Sequence, residues 1–139
     1  VLPLPAVVLC IVFSVLAGIH VFWAFSGRLD GSAVIPTVDG APTMRPGKSA
    51  TLAVAGLLAA AAAVSLWRGG WSAGGPAWVP RIGIWIIAFV FAARAIGEFR
   101  YVGFFKKIRG TAFARNDTLY FAPLCLVISV LAVWLAVFY

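Results

Sequence analysis

One glutamate stands in this chain, Glu98, and the residues around it are the ones whose types and spacing can do chemistry. Arg94, Glu98 and Tyr101 follow a four-then-three spacing, which puts them on one face of a helix. A carboxylate beside a histidine can serve proton transfer, so Glu98 and His20 are the candidate acid and base, with the Tyr101 hydroxyl orienting a substrate. His20 and Trp23, three apart, share a helix face as well, and histidine is the side-chain type whose charge changes near neutrality. Trp23, Arg94, Arg100, Arg115 and Asp117 complete the set as candidate ligand-binding residues. An arginine inside a bilayer costs about 2.5–3.5 kcal/mol on insertion scales, and a pair with Glu98 one turn later would relieve much of that.

Other chemistries lack their residues. With one histidine and two distant cysteines, Cys10 and Cys125, no conventional zinc site is assembled. The cysteines enter the membrane from opposite sides, at depths differing by roughly 10 Å, too far for a disulfide. The glycines near residue 70 follow a helix rather than a strand and precede no Lys-Ser pair, so no phosphate-binding loop is present. A serine-nucleophile motif is missing too. No cofactor is indicated.

The elements that must position these residues are membrane helices. Of 139 residues, 63% are hydrophobic and 11% charged, about half the charged fraction of a soluble domain. Lipid must be the solvent for most of the surface. Apolar runs place helices at about 5–26, 49–67, 80–105 and 117–139, an all-α four-transmembrane-helix bundle forming a single domain over 1–139. Pro5 suits a first turn and Gly27 a helix end; the first run is long enough to be a retained helix rather than a signal peptide. Ser49 is a plausible N-cap of the second helix. Arg94 and Glu98 enter near the end of the third, whose extension runs to about Ile108. Asn116, Asp117 or Thr118 caps the fourth, Asp117 alternatively pairing with Arg115 or Arg100, and Pro123 predicts a kink or a late start.

The loops carry further signals. Asp39-Gly40 is a turn pair, and the apolar run Ala33–Thr37 is short enough to dip back toward the bilayer. Asp30 and Asp39 read as loop acids. On the second helix, Gly56 and Ala60, like Ala55 and Ala59, stand four apart, a spacing that serves packing within the bundle or a face for a second copy. Trp67, Trp71, Trp78, Trp85 and Trp134 gather toward one membrane face as headgroup anchors. Lys106, Lys107 and Arg109 read as charges meeting anionic lipid, with Phe104 and Phe105 dipping into the acyl boundary.

Basic residues set the orientation. Arg28, Arg45 and Lys48 precede the second helix; Arg100, Lys106, Lys107, Arg109 and Arg115 precede the fourth; only Arg68 and Arg81 flank the loop between the second and third. Loops 27–48 and 106–116 are therefore expected in the cytoplasm, with both termini outside. The net charge of +7 sits at the ends of apolar runs, which accounts for it as topology rather than nucleic-acid binding. The same topology brings His20, Trp23, Arg94, Glu98, Tyr101, Arg115 and Asp117 to one slab of the bilayer.

Several spaced segments carry a family resemblance: Gly18-Ile-His20-Val-Phe-Trp23-Ala-Phe-Ser-Gly27, Val34-Ile-Pro36-Thr-Val-Asp39-Gly40, Met44-Arg45-Pro46-Gly47, Gly97-Glu98-Phe-Arg100-Tyr101-Val-Gly-Phe-Phe-Lys106, Phe113-Ala-Arg115-Asn-Asp117-Thr118 and Pro123-Leu-Cys125-Leu. Together they resemble a family of small four-helix bacterial membrane proteins of unknown function. The resemblance implies a multi-pass protein of the bacterial cytoplasmic membrane and carries no activity.

The functional expectation is a polar cavity at the cytoplasmic-side interface that binds a lipid-like or hydrophobic small molecule, with proton transfer by Glu98 and His20. Its partners are membrane lipid, that ligand and a second copy through the Gly/Ala face. Two alternatives stand beside it. One is a small dimeric proton-coupled transporter, similar to small multidrug transporters in length alone, since their glutamate lies in the first helix. The other is an accessory subunit without activity.

Overall fold

The computed structural model describes residues 1–27, 33–71 and 74–139. Arg28 and Asp30, read above as a topogenic cation and a loop acid, lie outside the described residues.

Four helices are long and apolar enough to cross a membrane: α1 (Leu4–Ser26), α2 (Lys48–Arg68), α3 (Trp78–Ile96) and α4 (Ala112–Phe138). At 19 to 27 residues they measure about 28–40 Å, matching the hydrocarbon thickness. Gly27 ends α1 in the left-handed conformation, φ 64°, as its position predicts. Gly47, rather than Ser49, occupies the N-cap of α2; the Thr51 hydroxyl donates to Gly47 O at 3.0 Å.

α1 lies along α2 and α3 along α4, with α2 meeting α3 and α4 closing back on α1. The core follows from that arrangement. Leu9 and Phe13 of α1, Leu58 of α2, Ile84 and Ile87 of α3, and Ile128 and Leu135 of α4 interlock on the axis with alanines 6, 62, 88 and 132. Phe13 and Phe91 meet at 5.4 Å between ring centroids. A buried hydrogen bond, Ser129 Oγ to Ala88 O at 2.8 Å, ties α4 to α3. The outer surface is also apolar: Val15, Phe22, Leu57, Phe89, Val130 and Val137 all point away from the core. Helices that are hydrophobic on both faces belong in lipid.

The α2 face divides in a way its spacing did not resolve. Ala55, Leu58 and Ala62 pack inward. Gly56, Ala59 and Ala60 face outward, and a Cβ placed on Gly56 would meet nothing within 4 Å. Packing inside the bundle is thus not the role of Gly56 and Ala60.

The α1–α2 connection is folded onto the bundle. Strands β1 (Thr37–Val38) and β2 (Ala41–Pro42) pair antiparallel across Asp39 and Gly40, both at positive φ, the geometry of a two-residue hairpin turn. Ile35, Pro36 and Thr37 are buried, so the apolar run does turn back against the helices. Lys48 Nζ sits 4.1 Å from the Phe25 ring centroid, and Asn116 Nδ2 donates to Ala33 O at 3.1 Å, joining the connection to the start of α4.

Two helix boundaries differ from expectation. α3 ends at Ile96, not near 105, because Gly97 adopts φ 85°, ψ −177°, a region open essentially to glycine alone. The chain then folds back over its own helix end: Phe104 N donates to Ala95 O at 2.9 Å, supplying one of the carbonyl partners that a helix terminus lacks. α4 starts five residues before Asp117. Thr111 is its N-cap, its hydroxyl accepting from Ala114 N at 3.0 Å. A π-helical turn over Asp117–Phe121 follows. It ends two residues before Pro123, whose missing N–H and ring conflict with regular α geometry one turn back; the wider turn takes up that conflict where a kink or late start was predicted.

Candidate functional site

The end of the bundle that collects the polar residues holds, among the described residues, a buried ionic cluster and several surface hollows. Asp117 is the centre of the cluster and is wholly buried. Its Oδ1 accepts from Arg94 Nη2 at 2.9 Å. Its Oδ2 accepts from Gly103 N at 2.7 Å and from Lys106 Nζ at 3.1 Å. Lys106, also fully buried, spends its other two donors on Gly103 O at 2.9 Å and Thr118 Oγ1 at 2.6 Å. All three ammonium protons thus have acceptors, the condition for keeping a buried lysine charged.

The cluster corrects four expectations. Asp117 is neither a helix cap nor a partner of Arg115 or Arg100; it lies past the first turn of α4 and binds Arg94 and Lys106. Arg94 does not pair with Glu98, because α3 stops before Glu98 and breaks the helical register that would have stacked them. Glu98 instead caps the turn that follows, its Oε1 accepting from Tyr101 N and Val102 N. Lys106 does not reach the headgroups; the fold-back of residues 97–110 carries it inward to Asp117.

The fold-back depends on a close crossing of backbone on backbone. A Cβ on Gly97 would lie 1.8 Å from Val102 O, and one on Gly103 would lie 2.3 Å from Ile96 O. Only glycines allow that approach, and Gly103, at φ 87°, is the residue whose amide reaches Asp117. Arg109 holds the outer side, donating to Lys106 O and Phe104 O.

His20 belongs to a different place. It lines a chamber of about 210 Å³ with Trp23 from α1, Val34 and Ile35 from the folded connection, and Thr51 and Val54 from α2. Met44 and Pro46 complete the wall. His20 Nδ1 lies 2.7 Å from Leu16 O, and the imidazole meets Trp23 edge-on at 5.1 Å. The two residues paired by spacing are in contact.

Glu98 and Arg100 line a separate open hollow with Phe99, Lys107 and Ile108. Arg100 lies 5.0 Å from the Tyr101 ring centroid, and Tyr101 is half-buried. Arg115 is exposed and lines a third hollow with Arg109, Thr111 and Thr118. The candidates thus share one end of the bundle and divide there among distinct sites: His20 with Trp23, Arg94 with Asp117, Glu98 with Arg100 and Tyr101, and Arg115 alone. Sequence reasoning missed Gly97, Gly103, Lys106 and Thr118. The glycines were the available signal, since a glycine at the close of an apolar run marks a helix end; nothing in the local sequence separates Lys106 from Lys107.

An apolar four-helix bundle with a reinforced polar end defines a multi-pass membrane protein. Residues 13–132 match the family described as protein of unknown function DUF3995, and the chain belongs to that family. No curated protein and no solved structure matches it.

Proposed function

We propose that this protein binds a lipid-like molecule bearing a hydrogen-bond donor, seated in the chamber between the end of α1, the folded connection and the start of α2. The observation behind this reading is the placement of the His20 ring against Leu16 O. Leu16 O can only accept, so Nδ1, 2.7 Å away, carries the proton. In the neutral ring Nε2 is then a free acceptor, and no bond to it occurs among the described residues. Apolar side chains make up most of the remaining wall. A volume of about 210 Å³ is below the range of about 300–1,000 Å³ for drug-sized ligands. It suits a ring or a chain end whose remainder stays in the bilayer. Among the described residues His20 is the only titratable side chain lining the chamber.

The transporter reading requires a carboxylate accessible within the span. Glu98 lies beyond α3, and Asp117 is enclosed by two cations, so ligand binding is the reading retained. By the distribution of basic residues, eight within residues 27–48 and 100–116 against Arg68 and Arg81, the chamber is assigned to the cytoplasmic side of a bacterial inner membrane, with both termini outside.

Native mass spectrometry of the detergent-extracted protein is expected to show a retained hydrophobic adduct. His20→Ala should lose it with folding intact, and Glu98→Gln should keep it. A wild-type protein that emerges empty and takes up nothing from a total lipid extract overturns the reading. The same spectra address a second copy docked on the outward Gly56/Ala60 face: small residues allow close helix approach, and Gly56→Leu is expected to convert dimer to monomer. Spectra showing a monomeric wild type would refute the dimer.

A further inference from the structure

At the other end of the bundle two arginines come together with no acidic side chain beside them among the described residues. Arg68 closes α2 and Arg81 stands near the start of α3. Both line one hollow of about 380 Å³, with Trp67, Gly75, Pro80 and Tyr139 on its walls. Arg68 Nη2 donates to Ala136 O at 3.0 Å, which fixes the guanidinium against the end of α4. Its Nε is buried and has no hydrogen-bond partner among the described residues. A buried donor left unmatched costs free energy that an acceptor would recover.

The sequence supplies no acidic side chain at this end. Its four acids are Asp30, Asp39, Glu98 and Asp117. The last three lie at the polar-cluster end, and Asp30 belongs to the segment joining α1 to α2. α3 also begins without a side-chain cap and with no acid in its first turn, which adds to the positive potential there. Depth is indicated by tryptophan: Trp71, Trp78, Trp85 and Trp134 expose their rings, and such rings collect at headgroup level. The hollow therefore lies where lipid phosphates lie.

We propose that Arg68 and Arg81 form a binding site for the phosphate of an anionic lipid headgroup. Guanidinium groups match phosphate oxygens in bidentate geometry, and one phosphate held between Arg68 and Arg81 would neutralise the two like charges. The site is separate from the His20 chamber and does not depend on it. A free phosphate ion presents the same oxygens, so the test must separate the two sources.

Native mass spectrometry of the full chain in detergent, titrated with phosphatidylglycerol, measures the first lipid bound. Arg81 is exposed and its side chain makes no hydrogen bond among the described residues, so Arg81→Gln leaves the bundle intact. It is expected to weaken first-site phosphatidylglycerol binding about tenfold, with Arg68→Gln/Arg81→Gln weaker still. Millimolar inorganic phosphate should leave the wild-type lipid complex in place. A phosphate adduct sensitive to Arg81→Gln, with phosphatidylglycerol binding equal in both proteins, overturns the lipid assignment in favour of the free ion. Equal binding of both probes by wild type and Arg81→Gln overturns the site. An equal loss in Lys107→Gln, at the other end of the bundle, does so too, because general charge attraction then explains the binding.

Discussion

Asp117→Ala is expected to lower stability by about 3–5 kcal/mol, the range for removing one partner from a buried ion pair. The physical reason is the pair of cations left behind. Lys106 is wholly buried and Arg94 mostly so; without the carboxylate, both hold charge in a poorly solvated place. The Gly103 amide loses its acceptor at the same time. Thermal unfolding in detergent, followed by helical circular dichroism, measures the loss. A double-mutant cycle assigns its origin: Lys106→Met combined with Asp117→Ala should recover part of the stability, because the second change removes one of the stranded charges. An Asp117→Ala protein as stable as wild type would show that the cluster is not what holds residues 97–110 against α4.

Gly97→Ala should be comparably severe, at about 3 kcal/mol or more, from backbone strain and overpacking together. At φ 85° and ψ −177° an alanine is strained before any contact is considered. Its methyl would also fall on the Val102 carbonyl. Relief requires the chain to abandon the crossing at Gly103, and the Gly103 amide then leaves Asp117. Gly97→Ala and Asp117→Ala should therefore be less than additive, since each disrupts the same connection. Gly18→Ala is the control: Gly18 lies within α1 with open space at its Cβ position, and its stability should match wild type or exceed it. Equal stability of Gly97→Ala and Gly18→Ala would contradict the close crossing.

The two perturbations separate stability from binding. Neither touches the His20 chamber or the Arg68/Arg81 hollow directly. Variants that fold but lose lipid at one of those places report on the ligand sites, whereas Asp117 and Gly97 report on the scaffold that holds the polar end together.

Much of this protein was written in local sequence. Four apolar runs determined four spanning helices, because a bilayer accepts a backbone only when its hydrogen bonds are made internally. Gly27 determined a helix end, Asp39-Gly40 a turn, and the three-residue spacing of His20 and Trp23 a contact. Each depends on neighbours within a turn, so the string suffices. The partners of Arg94, Glu98 and Asp117 were not determined that way. Helical spacing paired Arg94 with Glu98; the tertiary fold paired it with Asp117, 23 residues on, and buried Lys106 against the other carboxylate oxygen. Where α3 stopped decided the matter. Gly97 left the helical region because Gly103 had to pass against it, and that crossing exists only once α4 presents a carboxylate to receive the Gly103 amide and the Lys106 ammonium. A choice among charged partners rests on burial and on contacts far apart in the chain, and periodicity carries information on neither.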